Sequence, residues 1–201
     1  MKKIKRILSL VAFQICTISA SHLNAQFATK QSISATESGK SVYALDIDQD
    51  NDMDIVSALL NENKLVWYEN QGGGVFSGSI LISDSVTLPY HVIAADLDND
   101  GKQDIITANN GDSTITWFKN LGSGTFSSKI ILTNNALGAT SVFTIDIDND
   151  TDLDILSTSF YDNIVAWYEN LGGGLFGPQQ IISSSGNLKP VVVVSADLNN
   201  D

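Results

Sequence analysis

A nine-residue segment, Asp46-Ile-Asp-Gln-Asp-Asn-Asp-Met-Asp54, returns fifty residues later as Asp96-Leu-Asp-Asn-Asp-Gly-Lys-Gln-Asp104. It returns again as Asp146-Ile-Asp-Asn-Asp-Thr-Asp-Leu-Asp154, and a fourth copy opens at Asp197-Leu-Asn-Asn-Asp201. Carboxylates at this density repel one another strongly unless a cation sits among them. A fixed long period constrains the fold as well. It calls for tandem copies of one supersecondary unit, each burying its apolar surface against the next.

The rest of the unit keeps the same register. Trp67, Trp117 and Trp167 are spaced by fifty, as are Asn70, Asn120 and Asn170, and Phe76, Phe126 and Phe176. In the first unit, runs rich in β-branched and aromatic residues at 42–45, 55–60, 64–69 and 79–83 are bounded by Asp, Asn and Gly, which predicts four short strands. No segment carries a sustained helical period. The expected fold is therefore all-β, a partial β-propeller of four-stranded antiparallel blades with a repeat of about 50 residues. A β-solenoid is the competing architecture, but its repeats are usually shorter. The expected division is 41–90, 91–140 and 141–190 for three repeats, with 191–201 opening a fourth. Residues 27–34 align with 76–83 and read as an orphan outer strand, with a linker to residue 40. That strand would complete a blade whose first three strands lie beyond Asp201, so the chain is expected to be a fragment of a longer protein.

The first 25 residues read as a secretory signal: Lys2, Lys3, Lys5 and Arg6, then an apolar stretch, then Ala25 before a cleavage point. The apolar run is too short for a comfortable membrane span. Its removal would leave 7 basic against 23 acidic residues, moving the net charge from −12 to −16. Sixteen of the nineteen aspartates lie in the four ladder segments, so the acidity is local. It argues against nucleic acid or an anionic membrane as the main partner. Cys16 is the only cysteine and falls inside the signal, which excludes disulfides, a zinc-cysteine site and a thiol nucleophile from the mature chain. An exported protein without disulfides needs another staple, and metal ions are the obvious one.

In the second ladder Asp96, Asp98 and Asp100 occupy positions 1, 3 and 5 of a loop, with Gly101 at 6, Lys102 at 7 and Asp104 at 9. Alternating carboxylates converge when the backbone wraps an ion, and calcium takes six to eight such oxygens. Position 6 needs a left-handed residue, which glycine supplies freely. Asn51 is tolerable there, whereas the β-branched Thr151 carries a steric cost, so the third site is expected to be the weakest or most distorted. An EF-hand would need Glu at position 12 and flanking helices, and Ser57, Thr107 and Ser157 stand there instead. The plain alternative is a solvated acidic turn.

Together with Trp-Tyr-Glu-Asn-Gln-Gly-Gly-Gly-Val-Phe76 and its two copies, the ladder resembles the FG-GAP and VCBS repeats. Those build integrin-α-like β-propellers with calcium in the loop between the first two strands of a blade. The resemblance covers residues 27–201. It implies side-chain ligands Asp46, Asp48, Asp50 and Asp54, with Asp52 giving its carbonyl. The matching sets are Asp96, Asp98, Asp100 and Asp104 with Lys102, and Asp146, Asp148, Asp150 and Asp154 with Asp152. Asp197, Asn199 and Asp201 would begin a fourth site. One structural Ca²⁺ per loop is the implied cofactor.

Other residues offer less. The glycine runs at 72–74, 122–124 and 172–174 precede strands rather than helices, so they read as turns and not as phosphate cradles. The tryptophans read as inter-blade packing, with sugar stacking as the alternative. His91 stands where the other repeats have Ser41 and Ser141, and reads as an ordinary strand residue. No residue is singled out as catalytic. The expected function is a secreted or cell-surface, calcium-binding adhesion module with an extracellular protein or glycan as partner and no membrane span after signal cleavage. The alternative is a scaffold or carbohydrate-binding part of a secreted polysaccharide-acting enzyme.

Overall fold

The structure, a computed structural model, describes residues 32–34, 37–184 and 186–196. The expected signal segment, residues 27–31 of the expected orphan strand and the fourth ladder lie outside the described residues. Residues 32–34 carry no strand.

Fourteen strands and no helix make up the described residues. The first blade is β1 (Gly39–Leu45), β2 (Asp54–Leu59), β3 (Lys64–Tyr68) and β4 (Ile80–Ser83), paired in that order. The second is β5 (Pro89–Ala95), β6 (Asp104–Asn109), β7 (Thr114–Phe118) and β10 (Ile130–Thr133). A small hairpin, β8 (Asn120–Gly122) with β9 (Thr125–Phe126), projects between its last two strands. The third is β11 (Ala139–Ile145), β12 (Asp154–Ser159), β13 (Ile164–Tyr168) and β14 (Gln180–Ser183). All pairings within the blades are antiparallel, and the register repeats: Leu45 faces Asp54, Ala95 faces Asp104, and Ile145 faces Asp154. The protein is all-β, a partial propeller of four-stranded blades with a period of fifty residues. Among the described residues no helix is long and apolar enough to cross a membrane.

Both faces of the second blade are apolar because each packs on a neighbour. Val56, Leu65 and Trp67 of the first blade meet Val92, Ile105 and Phe118 of the second in one core. Ile106, Ile115 and Trp117 on the opposite face of the second blade meet Val142, Ile155 and Tyr168 of the third in another. Alternation along a strand thus sends successive side chains into two different inter-blade layers. This explains why β7 is buried at every position. Trp67 and Trp117 are 4% exposed and belong to these layers, so inter-blade packing is their role. Each lies under a glycine turn of the following blade: a Cβ on Gly124 would come within 2.4 Å of the Trp67 ring, and one on Gly174 within 2.9 Å of Trp117.

The first strands of successive blades are also stitched together. The Val92 amide donates to Ser41 Oγ at 3.2 Å, the Val142 amide to His91 Nδ1 at 3.2 Å, and the Val193 amide to Ser141 Oγ at 3.4 Å. His91 therefore has a repeat-wide role that its unlike counterparts conceal. Accepting through Nδ1 requires that nitrogen to be unprotonated, and burial holds the imidazole below the ordinary histidine range. A folded-state pKa lowered in this way gives stability that is complete above the unfolded value of about 6.5 and is lost as pH falls below it. Replacing His91 with Ser keeps the acceptor and removes the titration. The stability of His91→Ser relative to wild type should rise by up to about 1 kcal/mol between pH 7.5 and 5.5, read from urea unfolding at each pH.

Candidate metal loops

Each acidic loop joins the first strand of its blade to the second, and the backbone frame is the same in all three. Both oxygens of the position-1 aspartate accept amides from positions 5 and 6. Asp50 and Asn51 donate to Asp46 at 3.1 and 3.0 Å, Asp100 and Gly101 to Asp96 at 3.1 and 2.8 Å, and Asp150 and Thr151 to Asp146 at 3.1 and 3.0 Å. The position-5 carboxylate accepts the amide of position 7, at 2.8 Å for Asp52, 3.0 Å for Lys102 and 2.9 Å for Asp152. Position 6 is left-handed throughout, with φ of 74° at Asn51, 84° at Gly101 and 79° at Thr151. The steric cost at Thr151 is thus carried as strain in φ, while the hydrogen bonds of the third loop match those of the other two.

Position 9 is the buried knot of each loop. Asp54, Asp104 and Asp154 are fully buried. One oxygen of each accepts the position-2 amide: Ile47 at 2.9 Å, Leu97 at 3.2 Å and Ile147 at 3.0 Å. The other accepts the amide of Asn70, Asn120 or Asn170, at 2.8 Å in every blade. The asparagine side chains then reach across blades. Asn120 Nδ2 donates to the Ile47 carbonyl at 3.1 Å, and Asn170 Nδ2 to the Leu97 carbonyl at 2.8 Å. Each of these asparagines therefore clamps the acidic loop of the preceding blade. Their fifty-residue recurrence was visible in the sequence, but the clamp joins residues 73 apart in the chain and appears only when blades stack. The loops also touch one another: Gln49 Nε2 donates to the Gly101 carbonyl at 3.2 Å, and Asn99 Nδ2 to Asp152 Oδ1 at 2.6 Å.

The structure brings some of the expected ligands into one cluster per loop. Asp46, Asp48 and Asp50 each place an oxygen within 4.8 Å of the others, as do Asp96, Asp98 and Asp104, and Asp146, Asp148 and Asp154. Oxygens bound to one calcium at 2.3–2.6 Å are at most about 5 Å apart, so the spacing suits that ion. Asp100 and Asp150 stand outside their clusters, and so does Asp54. Two buried oxygens, Asp48 Oδ1 and Asp98 Oδ1, have no hydrogen-bond partner. A buried carboxylate oxygen left unpaired is costly, and a divalent cation would satisfy it. The electrostatics agree. Burial, against two accepted amides, pushes the Asp104 carboxyl up to about 6 and raises that of Asp54. Burial and then the charges of Asp150, Asp154 and Glu169 raise that of Asp148. These groups sit where negative charge is under-compensated.

The second loop meets one residue that the ladder does not include, Lys119. Lys119 makes a close ion pair with Asp98 and a second with Asp100 at 3.2 Å, and Lys102 reaches Asp100 at 3.0 Å. The signal for Lys119 was its departure from Glu69 and Glu169 at the same place in the other units.

The FG-GAP-like repeat family matches residues 46–107, 96–157 and 146–201, each match running from one acidic loop into the next. The chain belongs to the FG-GAP-like repeat family. Comparison with curated proteins gives no match. Among solved structures, this FG-GAP-like chain is similar to an Agrocybe aegerita lectin described as specifically recognising non-reducing terminal N-acetylglucosamine. That likeness has 23% identity and a TM-score of 0.54, covering 75% of this chain and 40% of the lectin. The chain thus spans less than half of the lectin's length, and at this identity the likeness is one of fold.

Relief of the left-handed strain at position 6 is measurable. Thr151→Gly should raise the stability of the protein by about 1 kcal/mol in thermal unfolding, and Asn51→Gly by distinctly less, because asparagine tolerates this conformation better than a β-branched residue.

Proposed function

We propose that this protein is a secreted or cell-surface β-propeller binding module, held together by calcium in its acidic loops, that recognises a glycan at the junction of its second and third blades. The observation that carries the glycan reading is an aromatic pocket of about 170 Å³ lined by Tyr90, Asn110, Thr140, Phe160, Tyr161 and Val191. Phe160 and Tyr161 pack edge to face with centroids 5.3 Å apart, and Tyr161 is 65% exposed. An exposed aromatic face beside amide and hydroxyl groups suits a sugar ring, which offers apolar C–H surface on one side and hydroxyls around its edge.

The pocket departs from the repeat. Tyr161 replaces Asn61 and Gly111, Phe160 replaces Leu60 and Asn110, and Tyr90 replaces Lys40 and Thr140. Trp67, Asn70 and Phe76 recur every fifty positions, whereas these do not. Gly138 lies directly beneath the Tyr161 ring, where a Cβ would come within 2.2 Å of it, so the ring has a fixed seat. The fold likeness to a lectin makes glycans the class to test first. Calcium would act structurally, neutralising each loop and fixing the turn from the first strand to the second. Asp46, Asp48 and Asp50, with the corresponding groups Asp96, Asp98 and Asp104 and Asp146, Asp148 and Asp154, are the residues that would hold it.

Two outcomes test this reading. Removing divalent ions with a chelator should lower the melting temperature by several degrees, and calcium should restore it more fully than magnesium. An unchanged melting temperature would remove the structural-ion role. On a glycan array in calcium, the protein should bind a restricted set of terminal sugars. Tyr161→Ala should abolish that binding while shifting the melting temperature by less than about 2 °C, since the ring is largely exposed. Binding that survives Tyr161→Ala would move the site elsewhere, and an empty array would turn the search to protein partners.

A further inference from the structure

The three acidic loops are alike in backbone and unlike in charge, first because Lys102 stands where the others have Asp52 and Asp152, and second because of the residue that follows the third strand of each blade. Residues 69, 119 and 169 hold the same place in their blades. The carbonyl of each accepts an amide at 2.8 Å, from Ser77, Ser127 or Gly177. The amides of Glu69 and Lys119 donate to Ser77 Oγ and Ser127 Oγ at 3.0 and 2.9 Å. From this common position the first and third blades present a carboxylate, and Glu169 is near enough for its charge to act on Asp148. The second blade presents an ammonium group. Lys119 Nζ lies on Asp98 Oδ2 and 3.2 Å from Asp100 Oδ2. Asp98 is the aspartate whose side chain is only 8% exposed, and whose other oxygen is buried and unpaired.

We propose that Lys119 is a tethered cation of the second loop, which it neutralises in place of part of a divalent ion's charge, so that this loop takes calcium more weakly than the first and third. A cation already paired with two of the aspartates must be displaced or must share them, and it repels an incoming divalent ion. Gly101 alone would make the second loop the best calcium site, and Lys119 reverses that order. The blade at the centre of the described fold is thereby the one least dependent on the ion. The proposal rests on the calcium reading of the loops.

The test is calcium titration of the whole chain by calorimetry, together with melting temperatures in calcium and in chelator. Wild type should show one site at least fivefold weaker than the others, and Lys119→Met should tighten that site about fivefold or more. In chelator Lys119→Met should melt below wild type, and in saturating calcium that deficit should disappear. The reciprocal change Glu69→Lys should weaken one of the tight sites and lessen the loss of melting temperature on chelation. Calcium sites left unchanged by Lys119→Met and Glu69→Lys would overturn the proposal while leaving the calcium reading intact. An equal stability loss in calcium and in chelator would reduce Lys119 to a packing residue, which also overturns it. Absence of calcium binding in every variant would overturn both readings.

Discussion

A buried carboxylate that accepts two backbone amides at once is the joint on which each blade turns. Asp54, Asp104 and Asp154 stand at the first residue of the second strand, where the chain re-enters the sheet after the acidic loop. One oxygen fixes the start of the loop through the position-2 amide, and the other fixes the asparagine that follows the third strand. Three segments distant in sequence are thereby set against one another by a single side chain. Amide hydrogen bonds to a carboxylate are strong because the acceptor is charged. The same charge is expensive to bury, and in the second blade burial outweighs the two amides and lifts the carboxyl to about 6.

That imbalance connects the fold to its chemistry. A neutral side chain would be cheaper to bury, but amide-bearing Asn in place of Asp could not accept at both oxygens. The fold keeps the carboxylate and surrounds it with more of them, a local excess of negative charge that a bound cation would offset. The asparagine clamps extend the effect between blades, because Asn120 and Asn170 tie the loop of one blade to the body of the next. Loop and inter-blade contact then become one mechanical unit, on which a bound ion would act as a whole. Stabilising an acidic loop also stabilises the junction on which any inter-blade pocket depends.

Much of this was legible without coordinates. The fifty-residue period, the aspartate spacing and the strand-like runs led directly to stacked four-stranded blades, and the strand expected at 64–69 is β3 (Lys64–Tyr68). Recurrence marks the tryptophans as inter-blade packing, and the buried rings of Trp67 and Trp117 lie there. His91 was harder. Imidazole and hydroxyl look unrelated in a sequence, yet both offer one lone pair to an amide, and the register of adjacent blades is what makes them equivalent. Phe160 and Tyr161 are unmarked for the opposite reason: they break the repeat, and recurrence cannot mark what does not recur.

The sequence by itself determined the unit. Its period, its loop chemistry and its alternating strands follow from short-range rules of turn conformation, pleat and charge, which act within about ten residues and repeat with the motif. Tertiary structure alone decided what neighbouring units do to one another. Only stacking places Asn120 on the loop of the preceding blade, aligns Ser41, His91 and Ser141 as one row of acceptors, and closes Tyr161 with Tyr90 into a pocket. It also decided that Lys119 meets Asp98 and Asp100 of the second loop, a fact of proximity that aspartate spacing cannot carry. Local geometry is written in adjacent residues, whereas the charge a loop experiences is summed over everything the fold brings near it.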